Sequence, residues 1–152
     1  MALTVKSITI WRQEVENEPG RLARSLVPLA AAGADLKVLM GYRIPGQPSR
    51  AVLEFFPVAG ARLARAARGA GLVPAETASL LVEGDDRPGM GLTLSQALVD
   101  AGLNFNFLVV QVIGRKFSAV MGFDGADAAK RAAAVLKKVG TRKPTAARKK
   151  AR

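Results

Sequence analysis

Two tetrapeptides in this chain have the residue types to hold the two charged ends of a small zwitterion. Asn17-Glu18-Pro19-Gly20 and Asp86-Arg87-Pro88-Gly89 each follow a run with strand character and lead into a segment with helical spacing. A helix N-terminus presents unpaired backbone N–H groups and the positive end of a dipole, which suits a carboxylate. Gly20 and Gly89 let a ligand approach the backbone closely. Asn17 and Asp86, three positions earlier, can accept hydrogen bonds from an ammonium group. The expected binding residues are therefore Asn17, Glu18, Gly20, Arg21 and Leu22 in the first loop. In the second they are Asp86, Arg87, Gly89, Met90 and Gly91. The alternative is that Asn17 and Asp86 only cap or turn the backbone at the helix start.

The two loops belong to a repeat. Pro19 and Pro88 are 69 positions apart, as are Gly33 and Gly102, so the register holds without insertion between these landmarks. Self-similarity at a fixed period implies two similar units. Units of about 70 residues bury a small fraction of their surface alone, so a shared core or sheet is expected.

The elements that must position the loops follow from periodicity and punctuation. Residues 4–15 read as one strand, and Arg21 to Ala32 as a helix that Pro28 should kink or shorten. Leu36–Ile44 and Ala51–Phe56 read as strands around the turn at Pro45–Ser49, and 60–70 as a short helix. Leu72–Val82 is extended and broken by Pro74, consistent with a short edge strand before the second unit. That unit repeats the order: strand Ala78–Glu83, helix Leu92–Ala101, strands Asn104–Ile113 and Phe117–Phe123, helix Ala126–Val139. The first unit is thus strand-helix-strand-strand-helix-strand, and the second the same without its last strand. The expected class is α+β, two ferredoxin-like units with antiparallel sheets and helices on one face. The boundaries are 1–76, 77–139 and a basic tail at 140–152. A missing strand leaves an exposed edge, from which a homodimer is expected.

Composition narrows the chemistry. There is no cysteine, so disulfides and thiolate ligands are excluded, which is compatible with a cytoplasmic location. There is no histidine, which removes the commonest general base and metal ligand and argues against an enzyme. No cofactor is implied. No membrane-length apolar run is present, and the first residues do not read as a signal peptide. The net charge of +11 is uneven: 15 basic and 12 acidic residues precede Lys137, and the eight basic residues from there on face no acid. Arg142, Lys143, Arg148, Lys149, Lys150 and Arg152 could contact nucleic acid or form a solvated terminus. Glu83, Asp85 and Asp86 form an acidic cluster read as solvated loop charges rather than a metal site. Asn104 and Asn106 read as the exposed face of an edge strand, and Trp11 as core or interface.

A strand, then Asn/Asp-x-Pro-Gly, a helix to a Gly, and a strand begun by Asp or Asn resembles the ACT domain, a small-molecule regulatory module of amino-acid metabolism. Both units match, with Asp35 and Asn104 opening the second strands. The resemblance covers roughly residues 4–138 and implies a non-catalytic, allosteric regulatory protein that binds an amino acid at domain interfaces. It also implies a homo-oligomer or a partner enzyme. The glycine-cleavage transcriptional repressor family, also a stand-alone pair of such domains, carries the alternative of a nucleic-acid-associated regulator. One departure stands out. The family usually has a leucine two positions after the Gly; Leu22 fits, but Gly91 takes that place, with Leu92 next to it. The second loop should then be wider, or its helix should start one residue later.

Overall fold

The computed structural model describes residues 3–141. Its elements run β1 (Thr4–Ile8), β2 (Trp11–Glu16), α1 (Arg21–Ala31), β3 (Val38–Ile44), β4 (Gln47–Phe56), α2 (Ala61–Gly69) and β5 (Val73–Pro74). They continue with β6 (Ala78–Asp85), α3 (Met90–Asp100), β7 (Phe107–Ile113), β8 (Lys116–Phe123) and α4 (Gly125–Thr141). The fold is α+β: two four-stranded sheets with four helices, each unit a ferredoxin-like arrangement.

One unit is residues 8–79, with strand order β3-β4-β2-β5. Antiparallel pairing places Trp11, Gln13 and Val15 of β2 opposite Phe55, Leu53 and Ala51 of β4. These side chains share one face, and the core forms there with Leu29 of α1 and Leu63 and Ala67 of α2. Trp11 belongs to this core, with the Arg68 guanidinium 5.0 Å from its ring centroid. Pro28 does not stop α1. The helix continues to Ala31, and the Ala32 N–H donates to the Pro28 carbonyl at 3.1 Å.

The other unit is residues 3–7 with 80–141, and its strand order is β1-β6-β8-β7. Residues 4–15 are not one strand: they break after Ile8, and β1 pairs with β6 while β2 enters the other sheet. The second unit therefore does not lack its last strand, because β1 occupies that place. The physical reason lies in the pairing. β1 lies beside β6, while the Ile10 carbonyl accepts from the Ala75 N–H at 2.7 Å and Trp11 pairs with Pro74, which draws the chain into the other sheet. The division between units thus falls within the expected first strand.

The C-terminal helix is also longer than expected. Val139 and Gly140 are buried, and a Cβ on Gly140 would lie 3.0 Å from the Leu3 backbone nitrogen, so Gly140 is helix and not tail. Residues 142–152, with Arg142, Lys143, Arg148, Lys149, Lys150 and Arg152, lie outside the described residues. Among the described residues, no helix is long and apolar enough to cross a membrane.

Candidate functional site

Both loops enter their helices through the same backbone. Gly20 has φ 86° and ψ −8°, and Gly89 has φ 84° and ψ 1°, the left-handed region that a side chain adopts only with strain. The helices then start at Arg21 and Met90, again 69 positions apart. The second loop is therefore neither wider nor delayed, and Leu92 does not replace Leu22: it is 73% exposed. Gly91 simply leaves the leucine position without a side chain.

Neither helix start carries a side-chain cap. The Arg24 and Thr93 N–H groups reach back to the Gly20 and Gly89 carbonyls, at 3.0 Å each. The N–H groups of Leu22 and Ala23, and of Gly91 and Leu92, have no partner among the described residues. Each pair can receive a carboxylate oxygen. Asn17 turns the loop instead of capping the helix: its Nδ2 donates to the Pro48 carbonyl at 3.1 Å, and its backbone N–H to the Ser49 carbonyl at 2.8 Å. The Asp86 backbone N–H makes the equivalent bond to Arg115 at 2.8 Å, but its carboxylate has no hydrogen-bond partner among the described residues. Glu18 is engaged by Arg24 at 3.3 Å.

The pockets beneath the loops differ sharply. The first, about 270 Å³, includes Asn17, Glu18, Arg21 and Leu22, though not Gly20. Its remaining lining comes partly from β3, as Gly41, Tyr42 and Arg43. The Arg21 Nε is buried there without a hydrogen-bond partner among the described residues. The Tyr42 hydroxyl is pushed above its ordinary pKa by burial, with the Glu54 carboxylate adding to the effect.

The second pocket, about 340 Å³, is lined by all five expected residues: Asp86, Arg87, Gly89, Met90 and Gly91. Its walls were not foreseen from the loop motif. They are Leu94 and Leu98 from α3, Leu108, Val110 and Val112 from β7, and Phe105, Phe117 and Met121. The Ser95 hydroxyl also lines it, but donates to the Gly91 carbonyl at 2.8 Å. No local sequence signal marked these walls. The 69-residue offset does pair Val110 with Gly41 and Val112 with Arg43 of the first pocket, a correspondence that becomes visible only once one of the two pockets is known.

Asn104 and Asn106 precede β7 rather than sharing a strand face; Asn104 Oδ1 accepts from the Phe105 N–H, and Asn106 donates to Asp124 at 3.0 Å. Asp85 pairs with Lys116, whose hydrogen bond and charge hold the carboxyl below its usual range. Among the described residues, no three acidic groups are placed to hold a metal ion.

No family model matches the sequence, and no curated protein does either. Solved structures do resemble it. Protein BT0572 from Bacteroides thetaiotaomicron superposes with a TM-score of 0.72 at 16% identity, covering 88% of this chain and 89% of that one. The regulatory subunit of aspartate kinase from Thermus flavus gives 0.61 at 16% identity, over 91% and 97%. The ligand-free regulatory subunit of aspartate kinase from Thermus thermophilus gives 0.60 at 14%, over the same shares. Together with the paired Pro-Gly loops and the two ferredoxin-like units, these similarities identify the fold as the tandem ACT type.

Proposed function

We propose that the chain is a non-catalytic regulatory protein that binds an amino acid at its helix-entry loops. The observation that carries this reading is the second loop. There Asp86, a left-handed Gly89 and Gly91 line one cavity of about 340 Å³, and the N–H groups of Gly91 and its neighbour Leu92 have no partner among the described residues. The volume lies at the lower end of the range for small-molecule sites. The ammonium goes to Asp86 and the carboxylate to the Gly91 and Leu92 N–H groups. The fold shared with aspartate kinase regulatory subunits supports a regulatory role.

Regulation requires a state that the ligand favours. β7 is an edge strand, with Val109 39%, Val112 52% and Ile113 76% exposed. A long apolar edge pairs readily with another edge, so self-association through β7 replaces the expected pairing beside β6, whose side β1 fills.

The test is thermal unfolding of the full chain against each of the twenty amino acids. A ligand bound only by the folded state raises the midpoint as its concentration rises. The reading fails if no amino acid does so, or if the shift survives both Gly20→Val and Gly89→Val.

A further inference from the structure

We infer that the pocket of the 80–141 unit selects an amino acid with an apolar side chain of medium size: leucine, isoleucine, methionine or phenylalanine. This rests on the proposed loop site and adds what the occupant's side chain must be. Once the charged ends are assigned to Asp86 and the helix N–H groups, the cavity still extends over Val110 and Val112 of β7 toward Phe117 and Met121. These walls offer a polar side chain no free donor, since the Ser95 hydroxyl gives its proton to the Gly91 carbonyl, and its oxygen is the one side-chain acceptor among them. Arg87 is at the loop beside Asp86, where the ligand's charged ends sit. A carboxylate on the ligand side chain would find no donor on these walls, and a hydroxyl or ammonium at most the single Ser95 oxygen, so each would lose most of its hydration without replacement.

The helix-facing side of β7 points to the same occupant. Leu108, Val110 and Val112 are 36%, 45% and 52% exposed, and an apolar side chain laid on them removes that surface from water. The room exists because Gly91 stands where the first unit has Leu22. In the first unit Arg43 replaces Val112, and the Arg21 Nε is buried without a partner among the described residues, so the first pocket does not share this preference.

Equilibrium dialysis of the full chain measures leucine, isoleucine, methionine and phenylalanine against serine, aspartate and lysine, with the wild type, Gly91→Leu and Gly20→Val. Gly91 lies in α3 outside the left-handed region, and a Cβ there meets nothing within 4 Å. The leucine therefore fills the cavity without breaking the backbone, and an unchanged or raised thermal midpoint confirms folding. The expected result is saturable binding of the apolar ligands, tighter than the polar ones by about tenfold or more, and at least about tenfold weaker in Gly91→Leu. If a polar amino acid binds best and Gly91→Leu weakens it, the inference falls and the loop site stands. If apolar ligands bind but only Gly20→Val weakens them, the inference falls because the site is in the other unit. If no amino acid binds and Gly91→Leu instead shifts self-association, the face is covered by a second copy, and both readings fall.

Discussion

The loop of the 8–79 unit and the loop of the 80–141 unit have one backbone and two different linings. Left-handed Gly20 and Gly89, helix starts at Arg21 and Met90, and strand-to-loop bonds from Asn17 and Asp86 coincide. Behind them the side chains diverge. The first unit buries a polar pair, with Ser25 Oγ 3.3 Å from Gln13 Oε1; the same positions in the second are Leu94 and Val82. Gly41 faces Leu53 across the first hairpin, whereas Val110 faces Ala119 across the second, so bulk moves from one strand to the other. A Cβ on Gly41 would stand 3.3 Å from Leu53, which shows why the exchange is reciprocal. Backbone conformation is set by a few glycines and prolines, while pocket chemistry is set by side chains free to vary around them.

The harshest way to break the comparison is to attack the strand that only the second unit takes from outside its own repeat. Val5 of β1 is 9% exposed. Val5→Asp puts an unpaired charge in that sheet, at a cost of about 3–5 kcal/mol. Hydrogen exchange should show lost protection in β6 before β2. Equal loss in both would mean that β1 is not a member of one sheet.

Next in size is binding. Asp86→Ala removes a charged acceptor and should weaken a bound amino acid by about 1.5–3 kcal/mol, one to two decades. Asn17→Ala should leave binding at the second loop unchanged and cost about 1 kcal/mol of stability through the lost Pro48 bond. Calorimetric titration of both variants separates the roles. An equal effect on affinity would contradict the division of labour between the loops.

How far this asymmetry was legible differs by element. The repeat, the α+β class and both helix-entry loops could be read because Pro-Gly and Gly-terminated helices act locally. The break after Ile8 could not be read, because β-branched residues continue across it and the two pieces differ only in which sheet they join. Nor could the destination of β1 be read, since strand pairing is non-local and nothing near Thr4 names β6 as its partner. The pocket walls escaped for the same reason: Val110 and Val112 reach the loop only through the pairing of β7 with β8.

Smaller again is the strain shared by the two loops. Gly20→Ala and Gly89→Ala each force a side chain into the left-handed region, with no clash because a Cβ at either site meets nothing within 4 Å. Each should cost about 1–2 kcal/mol, and the two costs should agree closely. Urea midpoints check this; a large inequality would show that the loops are not equivalent in backbone energy.

The smallest expected effect is a pair of pH dependences of opposite sign. In the first unit Glu54 is 6% exposed, and burial raises its carboxyl above the usual value; the Arg12 guanidinium, 3.8 Å away, opposes this. The folded state therefore holds the Glu54 proton more tightly than the unfolded chain. Its contribution to stability is present below the ordinary carboxylate pKa and is lost as pH rises through the raised value. The corresponding residue of β8, opposite Val109, is Val120, so the second unit has no such group. There the exposed Asp85 behaves in reverse: Lys116 lowers its pKa, and its small contribution, present above the ordinary aspartate value, is lost as pH falls. Urea midpoints between about pH 4 and pH 7 should lose the Glu54 slope in Glu54→Gln, and those below about pH 4 the Asp85 slope in Lys116→Met. An unchanged slope in Glu54→Gln would mean that the buried carboxyl of the first unit stays charged in the fold, satisfied by Arg12 despite its burial.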